Sequence, residues 1–246
     1  MSTPTRTAVI TGASAGIGAA TARALAALGY HVFLGARRVE RVEALATELG
    51  GTAHPLDVND VASVAAFAAA IPAASVLVNN AGLSRGLDPV ATANEAHWRE
   101  MFETNVFGLL HTTQAILPIL SREPHAHIVN MGSIAGFDFY PNGGGYCGSK
   151  AAVRAITKAL RAELLGRPIR VTEVNAGLVE TDFSLVRFDG DAEKAKKPYA
   201  GIDPLVAEDI ADCVAWAVSR PPHVNIDEIV VKPVRQGSTT VVARRV

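Results

Sequence analysis

Tyr146 stands four residues ahead of Lys150 in the stretch NGGGYCGSK, residues 142–150. On a helix the two side chains share a face, one turn apart. A phenol titrates near about 10, and a cation beside it favours the tyrosinate, so such a pair can move a proton. The chain has four tyrosines and six lysines, so the spacing alone can arise by chance. A tyrosine at a helix start otherwise fills a core. Ser133, thirteen residues before Tyr146, could donate a hydrogen bond to a developing alkoxide. Taken singly, Ser133 is a turn residue and Asn105 a helix cap.

The second pattern is glycine. TGASAGIG, residues 11–18, sets Gly12, Gly16 and Gly18 where a β-like run turns into a helical one. Glycine there lets the backbone approach a pyrophosphate, and the free N–H groups of the helix start favour the anion. The spacing is G-x-x-x-G-x-G, not G-x-G-x-x-G, and a glycine-rich turn without a ligand is the alternative. The next β-like run ends in GARR, residues 35–38. A dinucleotide fold that takes NAD carries an acid about 20 residues after the glycines, for the ribose 2′-hydroxyl. Here Ala36, Arg37 and Arg38 occupy that place. A carboxylate would repel a 2′-phosphate, whereas arginine binds it through paired charge-assisted bonds. NADP is therefore the expected cofactor, with one of the two arginines left to start the solvated face RRVERVEAL.

These residues need a scaffold, and the sequence supplies one. Short apolar runs recur at TAVI (7–10), HVFLGA (31–36), SVLVN (75–79), HIVNM (127–131), RVTEVN (170–175) and EIVV (228–231), with TAHPL (52–56) as a weaker seventh. Helical patterns lie between them at 19–28, 40–49, 62–71, 151–165 and 206–219. Runs without alternation imply strands buried on both faces. The order predicts an α/β chain: one Rossmann domain over 1–246, a doubly wound, seven-stranded parallel sheet with helices on both faces. Residues 178–205 lack periodicity, which marks a substrate loop or lid, or else a disordered excursion.

Composition narrows the class. The formal net charge is −1, with 23 basic and 24 acidic residues, which gives no support to a nucleic-acid or membrane partner. Residues 61–78 carry no charge and have the length of a membrane span. They are mostly alanine and interrupted by Pro72, so a helix, a turn and a buried strand explain them better. Cys147 and Cys213 are too few for a disulfide scaffold and fit a reducing, cytoplasmic setting. Cys147 reads as buried filler. The seven histidines show no metal-ligand spacing, so no metal is expected, and His125 and His127 read as structural.

Taken in order, TGxxxGxG, NNAG (79–82), Ser133 and Tyr-x-x-x-Lys resemble the short-chain dehydrogenase/reductase family along essentially the whole chain. LVRFDGDAEKA and HVNIDEIVVKPVRQ are similar to its NADP-dependent 3-hydroxy acid dehydrogenases, which act on serine and allo-threonine. The resemblance implies that Gly12, Ser14, Ile17 and Gly18 hold the phosphates, with Asp57 and Val58 at the adenine. It places Asn79, Ala81 and Gly82 along the cofactor, and Val179 and Thr181 at the nicotinamide carboxamide. Ser133, Tyr146, Lys150 and Asn105 form the implied catalytic set, Asn105 fixing a water that links Lys150 to solvent. Where the family commonly has Pro-Gly this chain has Ala176-Gly177, which loosens one wall of the nicotinamide site.

Three readings of function follow: an NADP-dependent dehydrogenase of small 3-hydroxy acids, a reductase of another ketone such as a secondary-metabolite or 3-oxoacyl intermediate, or an NADP(H)-sensing regulator without turnover. The intact Ser133, Tyr146 and Lys150 argue against the last. Arg187 either pairs with a substrate carboxylate or is a surface arginine in a charged loop. Ala151, Ala152, Ala155 and Ala159 lie close to one helix face and serve either a subunit interface or packing against the sheet. The family association favours a homotetramer, with the tail TTVVARRV reaching a neighbour.

Overall fold

The computed structural model describes residues 6–245. Its seven strands are β1 (Thr7–Thr11), β2 (His31–Ala36), β3 (Thr52–Pro55), β4 (Val76–Asn79), β5 (Ala126–Ser133), β6 (Ile169–Ala176) and β7 (Glu228–Val231). They form one sheet in the order β3-β2-β1-β4-β5-β6-β7, every pairing parallel. The order reverses direction between β1 and β4, and ligands of such sheets bind in the crevice at that switch.

Successive strand residues feed opposite cores, which is why the runs read as continuously apolar. Ala8, Ile10, Val32 and Leu34 face one layer with α1 (Gly16–Ala27), α2 (Val39–Leu49) and α9 (Ala207–Val218). Val9, Phe33, Leu77 and Ile128 face the other, against α3 (Val61–Ala69) and α5 (Gly108–Leu120). Each fully buried aliphatic or aromatic side chain contributes about 1.5–3 kcal/mol. The uncharged stretch 61–78 resolves into α3, a turn and β4. No helix among the described residues is long and apolar enough to cross a membrane.

Two elements are missing from the sequence reading, α4 (Glu95–Phe102) and α5. A π-turn at Glu103–Phe107 joins them. It inserts a residue into the helical ladder and breaks the 3.6-residue period that would reveal one helix. The helix of the Tyr146–Lys150 pair, α6, spans Gly144–Glu163. It begins seven residues before the Ala151 start that its pattern suggests, because glycine is a poor helix former and hides the first turn. The loop expected at 178–205 holds two short helices, α7 (Phe183–Arg187) and α8 (Ala192–Lys196).

On α6, Val153 and Thr157 are buried whereas Ala155 and Ala159 are exposed. Those two alanines are thus not used against the sheet, whereas Ala151 and Ala152 are half-buried. The tail, as far as Arg245, lies against its own chain: Thr239 N donates to Asp138 Oδ2 at 2.6 Å and Arg245 N to Gly201 O at 2.8 Å. Residues 239–245, the part of the tail described, follow this intrachain course; Val246 lies outside the described residues.

Candidate active site

The cleft at the carboxyl edge of the sheet has a volume of about 640 Å³. Its floor is the strand-to-helix turn after β1. Gly12 has φ +67°, and a Cβ there would lie 2.9 Å from Ala81 Cα. On Gly18 a Cβ would fall 2.5 Å from both Gly12 O and Asn80 Nδ2, so only glycine lets α1 sit against the turn. Asn80 stitches the switch point, donating through Nδ2 to Thr11 O (2.9 Å) and Gly12 O (3.2 Å). Thr11 Oγ1 in turn accepts from Asn80 N and Ala81 N.

Several residues expected at the cofactor line this cleft: Ser14 and Ile17 at the turn, Asp57 and Val58 after β3, and Ala81 and Gly82 after β4. Val179 and Thr181 close it from the loop after β6. Asn79 does not. Its amide turns into the sheet, donating to Thr113 and Asn130 at 2.9 Å each, and its neighbour Asn80 faces the cleft instead. The NNAG pattern alone does not show which asparagine points out; the stagger at the end of β4 decides it. Gly18 likewise works behind the wall, in helix packing.

The residues fit a phosphorylated dinucleotide. The N-cap of α1, Ala15, makes no side-chain cap bond and the first turn has no acid, whereas Asp60 and Asn94 cap α3 and α4. The N–H groups of this helix start, which faces the cleft, are left for an anion. Arg37 and Arg38 are exposed on the cleft lip, and Arg38 is held there by Nε and Nη2 bonds to Ser14 Oγ of 3.1 and 2.9 Å.

Ser133, Tyr146 and Lys150 converge in the same cleft from β5 and α6. Ser133 ends β5, where its Oγ accepts from Ala135 N at 3.2 Å and faces Ala176 O at 3.4 Å. Lys150 is buried and donates one of its three N–H bonds to Met131 O at 2.8 Å. Burial lowers its pKa to about 8, against the opposing charge of Glu173. Tyr146 is pushed up to about 12 by burial, which outweighs the nearby Arg187 cation and the Ser133 hydroxyl. The expectation of a phenol acidified chiefly by Lys150 is thereby corrected. The cation stacked on its ring is Arg187, whose Cζ lies 5.1 Å from the ring centroid.

Asn105 sits in the π-turn behind the cleft. Its Oδ1 accepts from Leu83 N (2.8 Å), and its Nδ2 donates to Leu83 O (2.9 Å) and Ser149 Oγ (3.0 Å). Both amide hydrogens are thus used, leaving one acceptor site on Oδ1. Asn105 Oδ1 and Lys150 Nζ lie 3.1 and 3.7 Å from where a Cβ on Gly82 would be, so glycine keeps the space between them open.

Sequence patterns did not reveal the residues around Arg187. Its Nε donates to Ser84 Oγ at 2.8 Å and its Nη2 to the Tyr140 hydroxyl at 3.1 Å. Phe183 stacks edge-on to Tyr146, with centroids 5.6 Å apart, and Arg187 also covers its ring. Among the described residues, none of the ion pairs within 4 Å includes Arg187. The described residues also hold no cluster of three or more histidine, cysteine or acidic side chains suited to a metal.

Comparison with known proteins agrees with this geometry. A sequence profile of the short chain dehydrogenase family matches residues 6–190. The chain belongs to that family. It is thus an oxidoreductase of the short-chain dehydrogenase fold. An uncharacterized oxidoreductase of Mycobacterium tuberculosis is 51% identical over 235 residues, covering 96% of this chain and 94% of that one. An NADP-dependent 3-hydroxy acid dehydrogenase of Salmonella typhi is 42% identical over 235 residues, covering 93% and 95%. The closed form of a serine dehydrogenase complexed with NADP+ superposes with a TM-score of 0.92 at 39% identity, over 97% of this chain and 99% of that one. The expectation of NADP, made from Arg37 and Arg38, agrees with these relatives.

Proposed function

We propose that this short-chain dehydrogenase uses NADP to interconvert small, serine-like 3-hydroxy acids and their ketones. The supporting observation is Arg187, a guanidinium with no carboxylate partner among the described residues, stacked on the ring of Tyr146. A carboxylate two carbons from the reacting centre would answer that charge, whereas a neutral ketone would not. The relatives named for 3-hydroxy acids and serine point the same way.

Bound NADP would supply or take up the hydride at the substrate carbon. Ser133 donates a hydrogen bond to the substrate oxygen and holds it where charge develops. Tyr146, protonated at neutral pH, gives its proton to that oxygen in reduction and takes it back in oxidation. Lys150 anchors beside it with two N–H bonds free for the cofactor ribose, and Asn105 holds Leu83 and the open space at Gly82. The exposed Ala155 and Ala159 face of α6 suits a homotetramer interface, which light scattering in solution tests directly. The two free cysteines suit a cytoplasmic setting.

The test is absorbance at the NADPH band with a panel of 3-hydroxy acids and ketones. Tyr146→Phe lowers kcat about a thousandfold, within the range for a lost acid–base group. Activity that survives this change refutes the proton-transfer role. Because burial sets the phenol high, kcat/KM for oxidation climbs towards alkaline pH while that for reduction stays level near neutrality. Arg187→Met, by removing the first charge that opposes burial, moves the oxidative profile further to alkaline pH.

A further inference from the structure

Arg187 reaches the cleft from α7, a five-residue helix in a segment with no sheet or long helix of its own. Something must hold α7 in place, and the contacts converge on the residues just after Leu83. Arg85 is clamped on one side by Glu100 of α4, through Nε at 2.8 Å and Nη2 at 2.9 Å. Its remaining nitrogen, Nη1, donates to Val186 O at 3.0 Å and Asp189 Oδ1 at 2.9 Å, one residue before and two after Arg187. Gly86 N donates to Arg187 O at 3.0 Å, and Ser84 Oγ accepts from Arg187 Nε. Backbone and side chain of Arg187 are therefore both fixed by residues about a hundred positions earlier. Arg85 has spent four of its five N–H donors on these partners, and its charge is answered by two acids. It is not itself free for an anion. Arg187, with Nε and one Nη2 hydrogen occupied, keeps its Nη1 end open, which is the geometry for end-on pairing with a carboxylate.

We infer that Ser84 and Arg85 form an anchor that orients Arg187 over Tyr146 and so sets the enzyme's selectivity for carboxylate substrates. They are positioning residues, acting through Arg187 and not on the substrate. The inference rests on the proposed role of Arg187, and its test separates the two.

The readout is the ratio of kcat/KM for a 3-hydroxy acid to that for its methyl ester. Arg187→Met lowers this ratio roughly a hundredfold and Arg85→Met roughly tenfold, the scale of one or two charge-assisted hydrogen bonds. The double variant falls no further than Arg187→Met. If Arg187→Met leaves the ratio within twofold, the carboxylate reading fails. If Arg187→Met lowers it but Arg85→Met does not, or the two losses multiply, the anchor is overturned while that reading stands. Ser84→Ala, a smaller change, lowers the ratio about threefold and serves if Arg85→Met does not fold. Amide exchange across residues 183–189, followed without substrate, speeds up in Arg85→Met; unchanged protection there overturns the anchor whatever the substrate.

Discussion

On the cofactor side of the cleft the wall is backbone: the turn after β1, the free N–H groups of α1, and Asn80 joining β1 to β4. On the substrate side the wall is side chains: Arg187 between two aromatic rings, held by Ser84, Tyr140 and the Arg85 anchor. The first wall is carried by the core strands and has no freedom to change without disturbing the sheet. The second rests on two short helices, α7 and α8, and on bonds that cross the cleft. A family can therefore keep one cofactor and change its substrates by altering the second wall alone.

The largest effect is expected where backbone meets backbone. Gly18→Ala would push a methyl against Gly12 O and Asn80 Nδ2 at 2.5 Å. Overpacking of this kind costs about 3 kcal/mol, read as a drop in denaturant midpoint, and NADPH affinity falls with it. Gly190, in the substrate segment, has φ +89° and open space for 4 Å around the place a methyl would take. Gly190→Ala carries only the left-handed penalty of about 1 kcal/mol, with NADPH binding retained. A greater loss at Gly190 than at Gly18 would break the contrast between the two walls.

That contrast also explains what could be read in advance. The glycine turn, the Tyr146–Lys150 pair and the seven strands are local patterns, because a tight turn, a shared helix face and a buried strand each constrain neighbouring residues. The Rossmann order and most of the residues that line this side of the cleft were legible for this reason. Ser84, Arg85 and Tyr140 were not, because their roles depend on residues 47 to 104 positions away. Asn79 was expected along the cofactor and its neighbour Asn80 lines the cleft instead, because only the end of β4 settles which of the two faces out. The acidity of Tyr146 was misjudged for a related reason: spacing displays the lysine but not the burial that dominates.

A smaller effect is expected at the cleft lip. Arg38 is exposed and tied to Ser14, and the role proposed for it is confined to a 2′-phosphate. Arg38→Ser lowers the preference for NADPH over NADH by roughly ten- to a hundredfold, the worth of a charge-assisted pair, with the denaturant midpoint nearly unchanged. Dissociation constants for both cofactors, measured by fluorescence titration, give the ratio. A preference that persists in the Arg37→Ser, Arg38→Ser double variant would mean that the phosphate is held elsewhere.

The smallest global effect belongs to Asp189, the outermost partner of Arg85. Its side chain is 68% exposed, and its backbone has φ +51°. Asparagine tolerates that left-handed conformation, so Asp189→Asn removes the charge without adding backbone strain. An exposed ion pair contributes at most about 1 kcal/mol, and Arg85 keeps Glu100 and Val186 O. Global stability should therefore barely move. Local opening of the segment, which has only its own few contacts to lose, should become more frequent. Trypsin cleavage at Lys194 and Lys196 is then expected to quicken several-fold at an unchanged midpoint. If the midpoint instead falls as far as in Gly18→Ala, the substrate wall unfolds together with the core, and it cannot vary independently of the cofactor wall.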